Sequence, residues 1–174
     1  MNISKTYIET PLGEMIACAT DKGICLLEFN NRKNIDGQFQ KTEKELNGVI
    51  VEENSTYFDL LKKELDAYFK KELKEFTVPL DLVGTEFQKK VWQALLAIPY
   101  GKTISYLQQS ETMGNPLSVR AVANANGMNK IAIIVPCHRV IGSNGKLTGY
   151  AGGLDKKRWL LNLEKGITEN TLFE

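Results

Sequence analysis

The stretch Pro136-Cys137-His138-Arg139 concentrates the chemistry of this sequence: a nucleophile candidate, the only histidine of the chain and a fixed cation, side by side. A thiol attacks as its thiolate, and a neighbouring base or cation supplies that form near neutral pH. Other cysteine chemistries fit poorly. A cysteine protease needs a histidine brought to the thiol from a distant part of the chain, and none is left over. A phosphatase loop needs an arginine six positions after the cysteine, where Ser143 stands. Cys18, Cys25, Cys137 and His138 lack the paired spacing of a structural zinc site, and there is no C-x-x-C redox pair. What remains is a thiolate, activated by a neighbouring base, attacking carbon.

Side chains that do such work must be held in place. Ile131 to Val135 is a continuous apolar run that reads as a buried strand. Pro136 keeps Val135 extended and ends that strand, so Cys137 is expected at a rigid strand end beside a cleft. Upstream, Thr85 reads as the N-cap of a helix with Phe87, Val91, Trp92, Leu95 and Leu96 on one side, closed by Pro99 and Gly101. Two shorter helices are predicted over Ile104 to Met113 and Leu117 to Asn126, separated by Gly114-Asn115-Pro116, the outline of a helix-turn-helix. Downstream, Ser143 to Lys146 reads as a hairpin turn and Leu154 to Lys165 as a helix.

The first half of the chain is built differently. Ile3 to Glu9, Met15 to Thr20 and Ile24 to Phe29 are β-prone runs separated by turn signals at Pro11-Leu12-Gly13 and Asp21-Lys22-Gly23, which predicts an antiparallel meander. Ile35 to Leu46 and Ser55 to Lys71 read as helices, the second with Phe58, Leu61, Leu65 and Phe69 at helical spacing. The chain becomes extended around Phe76 to Leu80, so residues 75–85 read as a linker. An α+β protein of two domains, 1–80 and 81–174, is expected.

Composition sets the class. At 174 residues and 43% hydrophobic the chain can bury a real core. Its net charge of +1 conceals an asymmetry: residues 1–83 carry 11 basic and 15 acidic side chains, residues 84–174 carry 11 and 6. A basic second half suits a DNA-facing surface. No stretch has the character of a signal peptide or a membrane span, and three cysteines make no disulfide framework. A soluble cytoplasmic protein with reduced thiols is expected.

Pro136-Cys137-His138-Arg139-Val140 resembles the signature of the O6-alkylguanine-DNA alkyltransferases, the methylated-DNA-protein-cysteine methyltransferases. The likeness runs from about Gly84 to Gly166, with Thr103-Ile104-Ser105-Tyr106, Arg120-Ala121-Val122, Asn129 and Gly149-Tyr150-Ala151-Gly152-Gly153 at family spacing. It implies an N-terminal RNase H-like α/β domain that contains the meander, and a C-terminal, mostly helical, winged helix-turn-helix-like catalytic domain. It also implies DNA repair by direct damage reversal. Cys137 attacks the alkyl carbon on guanine O6, with O4-alkylthymine as a second candidate substrate, and the guanine leaves. The resulting thioether has no easy leaving path, so each chain acts once, as a suicide methyltransferase, and needs no cofactor. The zinc site of human-type members finds no support, because Cys18 and Cys25 have no nearby histidine.

The same resemblance assigns roles. His138 activates Cys137 through a bridging water, and Glu164 orients the histidine. Tyr106 donates a proton near the departing guanine's ring nitrogen and also touches the DNA. Asn129 is the hinge that ties the recognition helix to the cysteine strand. Val140, Tyr150, Ala151 and Gly152 line the substrate pocket, with Val140 and Cys137 offering backbone groups to the base edge. Guanine O6 lies inside the stack, so the nucleotide must be flipped out. Arg120 fills the vacated space, while Ala121, Ala123 and Ala125 let the helix approach the backbone closely. Minor-groove entry suits repair without sequence preference.

The expected partner is double-stranded DNA carrying alkylated bases, met by a monomer, with no metal and no membrane. Ala123 replaces a common glycine, Lys130 stands where proline often follows the hinge asparagine, and Asn126 sits at a variable position near the DNA. These departures bear on pocket size and substrate range. The competing reading is a non-catalytic binder of alkylated DNA, against which Cys137 argues directly.

Overall fold

The structure, a computed structural model, describes residues 1–114 and 118–166. By its contacts the chain divides into two compact units, Met1–Gly84 and a second that begins at Thr85. Among the described residues, no helix is long and apolar enough to cross a membrane.

The first unit runs β1 (Asn2–Thr10), β2 (Gly13–Ala19), β3 (Ile24–Phe29), α1 (Ile35–Leu46), β4 (Val49–Glu52) and α2 (Phe58–Phe69). Its sheet has the order β3-β2-β1-β4. The three antiparallel strands are the predicted meander, α1 has the bounds its periodicity suggested, and α2 is shorter than Ser55 to Lys71 at both ends. β4 was not anticipated. Its three apolar residues, Val49 to Val51, are too few to display a period, yet they pair in parallel with β1, Ile3 opposite Ile50. All of β3 is buried, including Glu28, whose carboxylate is paired with Arg32.

The extended segment after α2 is tied down rather than free. The buried Glu64 carboxylate on α2 accepts from the Thr77 amide and hydroxyl and from the Val78 amide, at 2.8 to 3.0 Å. The Ile24 amide donates to Pro79 O at 2.9 Å, and the Asp81 amide to Ile24 O at 2.8 Å. Gly23 permits this approach, since a Cβ there would lie 2.4 Å from Pro79 O. Residues 77–81 of the predicted linker are therefore hydrogen-bonded parts of the first unit.

The second unit runs α3 (Glu86–Leu96), β5 (Ile104–Ser105), α4 (Tyr106–Thr112), α5 (Val119–Gly127), a 3₁₀ turn (Cys137–Arg139), β6 (Val140–Ile141) and α6 (Leu154–Lys165). Thr85 with Gln88, and Ser105 with Gln108, form reciprocal capping boxes at the starts of α3 and α4. The first two residues of the predicted helix 104–113 leave it to form β5, parallel to β6, with Ile104 opposite Val140. The predicted Gly114-Asn115-Pro116 turn and the helix start at Leu117 involve residues 115–117, which lie outside the described residues.

Trp92 anchors this unit. It is 2% exposed, and its indole donates to Ala125 O at 2.9 Å, joining α3 to α5. Burying such a ring contributes about 3 kcal/mol. Gln109 of α4 and Asn126 of α5 exchange two buried amide hydrogen bonds at 2.7 and 2.9 Å. Ala125 and Asn126 thus face inward, not toward DNA as expected, because the buried stripe of α5 is Val122, Ala125 and Asn126.

Candidate active site

The segment that delivers Cys137 is buried as predicted but is not a strand. Ile131 to Val135 fold into consecutive turns: the Ile134 amide donates to Ala132 O at 2.8 Å, Val135 to Ile131 O at 3.1 Å, and Cys137 to Val135 O at 2.8 Å. Ile133 has φ 73°, a left-handed conformation that a β-branched residue adopts only when its surroundings impose it. The surroundings here are apolar, since residues 131–135 are all at most 6% exposed. Apolar runs of this length bury equally well as strands or as compact turns, and periodicity cannot separate the two.

Asn129 holds these turns together. Its Nδ2 donates to Val135 O at 2.8 Å and to Cys137 Sγ at 3.3 Å, while its Oδ1 accepts from the Ile131 amide at 2.9 Å. Cys137 itself is half-buried at the head of the 3₁₀ turn. His138 and Arg139 are buried and meet Glu164, on the last turn of α6. His138 Nε2 lies 2.6 Å from Glu164 Oε2. Arg139 donates Nε to Oε1 at 2.8 Å and Nη2 to Oε2 at 3.1 Å. Its Nη1 reaches Ile98 O at 2.7 Å, and the guanidinium lies 5.8 Å from the centre of the Tyr100 ring.

The protonation states follow. Burial opposes charge on Glu164, but His138 and Arg139 outweigh it and hold the carboxyl below the usual carboxylate range. Burial lowers the His138 pKa against the pull of Glu164, and the Arg139 and Lys157 cations lower it further. The imidazole is therefore neutral beside an ionised Glu164. Its Nε2 carries the proton and donates to the carboxylate, which leaves the lone pair on Nδ1. That nitrogen is buried and has no hydrogen-bond partner among the described residues.

Tyr106, half-buried at the start of α4, donates its hydroxyl to Thr148 O at 2.9 Å. Burial raises its pKa, so it is a neutral phenol. Val140 is buried, and its carbonyl accepts from Lys157 Nζ at 2.7 Å. Tyr150 and Gly152 are half-buried and Ala151 is exposed. The predicted hairpin turn is closed by the Gly142 amide on Lys146 O at 2.9 Å, but no strand follows it among residues 146–153. On α5, Arg120 and Ala121 are exposed, Ala123 is half-buried, and Asn124 extends the same outer stripe.

Sequence reasoning missed Lys157. In Asp155-Lys156-Lys157-Arg158 it looks like one more solvated charge, yet it is 0% exposed. The signal was its spacing: Lys157, Leu160, Leu161 and Glu164 occupy one stripe of α6 at i, i+3, i+4 and i+7. Its Nζ also donates to Thr148 O at 3.0 Å and Gly149 O at 3.3 Å, fastening the loop that carries Tyr150.

Comparison with known proteins agrees along nearly the whole chain. Residues 3–82 match the ribonuclease-like domain of 6-O-methylguanine DNA methyltransferase, and residues 86–166 match its DNA binding domain. The methylated-DNA–protein-cysteine methyltransferase of Methanosarcina acetivorans is 48% identical over 156 residues, spanning 90% of this chain and 94% of the relative. The protein of that name from Mycobacterium tuberculosis is 63% identical over 113 residues, 64% of this chain and 68% of the relative. The crystal structure of Mycobacterium tuberculosis OGT in complex with DNA matches with a TM-score of 0.79 at 42% identity, covering 95% of this chain and 94% of that one. This chain, with its cysteine, histidine and glutamate gathered in the second unit, belongs to the 6-O-methylguanine DNA methyltransferase family.

Proposed function

We propose that the chain repairs DNA by moving the alkyl group of O6-alkylguanine onto Cys137, irreversibly and once per molecule. The observation that carries this reading is the buried pairing of neutral His138 with ionised Glu164, which leaves an imidazole lone pair one residue from an accessible thiol. Nδ1 takes the thiol proton through a bridging water, and the imidazolium that forms is stabilised by Glu164. Sγ then attacks the alkyl carbon in line with the C–O6 bond. The electron pair of that bond stays on the guanine, which takes a proton from Tyr106 as its hydroxyl releases Thr148 O. Asn129 fixes the position of Sγ throughout.

Access requires the nucleotide to leave the stack. The exposed stripe of α5 enters the minor groove, with Arg120 filling the gap and Ala121 and Ala123 giving close approach without base-specific contacts. Val140, Tyr150, Ala151 and Gly152 enclose the flipped base. O4-alkylthymine presents the same kind of alkyl–oxygen bond and is a second substrate. The protein works as a monomer in the cytoplasm on double-stranded DNA, with no cofactor.

The test is mass spectrometry after mixing with duplex DNA that carries a single O6-methylguanine. One methylene gained per chain, on the Cys137 peptide and absent in Cys137→Ser, supports transfer. Tight lesion binding with no mass gain would replace it with a non-catalytic damage binder.

A further inference from the structure

Helix α5 is held along one face and exposed along the other. On the inner face Val122 is buried, Ala125 O accepts from the Trp92 indole, and Asn126 exchanges two hydrogen bonds with Gln109. On the outer face Arg120, Ala121 and Asn124 are exposed, with half-buried Ala123 at the edge. Residues three and four apart share a helix face, so Asn124 stands one turn beyond Arg120 and beside Ala121. Its backbone is regular helix, the carbonyl accepting from the Met128 amide at 3.1 Å. Its carboxamide makes no hydrogen bond among the described residues and caps neither end of α5. Asparagine disfavours a helix interior because its side chain competes for backbone hydrogen bonds, and no contact among the described residues offsets that here.

We infer that Asn124 reads the minor-groove edge of a base pair close to the lesion and favours G·C there. The inference rests on the proposed entry of α5 into that groove, with Arg120 in the gap left by the flipped nucleotide. Four helical residues rise about 6 Å and successive base pairs about 3.4 Å, so Asn124 comes within about two pairs of that gap. Every pair presents acceptors in the minor groove, and only G·C adds a donor, the guanine 2-amino group. Arginine can only donate and alanine can do neither, so neither residue recognises that amino group. A carboxamide both donates and accepts. Against G·C, Nδ2 donates to a base acceptor while Oδ1 accepts from the amino group. Against A·T, Oδ1 is pressed into the groove with no donor to meet it, and a polar atom stripped of water without a partner is costly. Transfer then depends on the flanking sequence, contrary to the indifference that the family likeness implies.

The test is single-turnover methyl transfer from duplexes that carry one O6-methylguanine. Each of the two pairs on either side is set in turn, in both orientations, to G·C, inosine·C, A·T or 2,6-diaminopurine·T. Inosine deletes the guanine amino group, and diaminopurine adds it to an A·T pair. At a position that Asn124 reaches, pairs with the amino group are expected to react about threefold to tenfold faster. The added group also strengthens the pair, but a stronger neighbour hinders extrusion and would act in the opposite direction. In Asn124→Ala, which places a better helix former at an exposed site, the ratio falls to about one. Rates indifferent to the amino group at every position, or a preference that survives Asn124→Ala, overturn the inference. Absence of transfer from every duplex would sink the proposed function; the affinities of the same duplexes, read by fluorescence anisotropy, then decide on Asn124 by the same ratio.

Discussion

Replacing Glu164 by glutamine tests the site at its centre. The carboxylate accepts from His138 Nε2 at 2.6 Å, from Arg139 twice at 2.8 and 3.1 Å, and from the Gly101 amide at 3.3 Å. Glutamine keeps the shape and one acceptor oxygen but turns the other into a donor, facing the donors of Arg139 and His138. Removing one partner of a buried ion pair costs about 3–5 kcal/mol, and we take the lower value because half of the acceptor capacity survives. For a chain of this size that corresponds to a fall in Tm of roughly 6–12 °C. Without the carboxylate the imidazole loses its tautomer and its stabilised cation, so single-turnover transfer should slow about 10²- to 10⁴-fold. The pH dependence has a definite sign. The Glu164 carboxyl is held below its unfolded value near 4.3, so its contribution is whole above that pH and is lost as the pH falls through the folded value. The Tm gap between the unmutated chain and Glu164→Gln should therefore narrow below about pH 4. Melts from pH 7 to pH 3 and quenched-flow transfer assays measure both effects. A transfer rate within about threefold of the unmutated chain, or a gap that does not change with acid, would refute the reasoning.

Asn129→Ala leaves the buried Ile131 amide without its partner and Val135 O with the Cys137 amide alone, and should cost about 1–3 kcal/mol in urea unfolding as well as slowing transfer. Tyr106→Phe removes the proposed acid, so transfer should slow at least about tenfold while lesion affinity, read by fluorescence anisotropy, changes little. Arg120→Ala should slow transfer from duplex DNA more than transfer from the same lesion in a free nucleoside, because only the duplex has a stack to be opened; equal slowing would remove Arg120 from that role.

Local signals read true where they were long or chemically specific. The periodicity of Ile35 to Leu46 carried through to α1 unchanged, and Thr85, read as an N-cap, caps α3. The Ser105-x-x-Gln108 capping box went unread, and it is what sets the start of α4 at Tyr106 and not at Ile104. What escaped depends on partners far away in sequence. β4 exists because β1 offers it an edge, and β5 because β6 does. The turns at Ile131 to Val135 exist because Asn129 gathers Val135 O and the Ile131 amide at once. Lys157 and Arg139 are charged residues whose burial makes sense only once the carbonyls of Val140, Thr148, Gly149 and Ile98 are in position. Cys137 and His138 stood out from the residues themselves, whereas Glu164, Asn129 and Tyr106 came only with the family resemblance; the structure sets Asn129 against Cys137 Sγ and Glu164 against His138, and the ion pairing with Arg139 had no signal in the sequence.

The carboxylate that tunes the site sits on the last helical turn described, 25 residues beyond Arg139. Cys137 therefore enters a growing polypeptide well before the group that makes its neighbour a useful base. On the proposed mechanism, until α6 docks Arg139 lacks the Glu164 carboxylate and His138 lacks the partner that fixes its tautomer, so Cys137 stands without its activating base. Ripening of the nucleophile is thus coupled to completion of the fold. An unfinished, clipped or locally opened chain carries the cysteine without its reactivity, and a protein that can react only once is protected from spending itself on stray electrophiles before it can engage DNA.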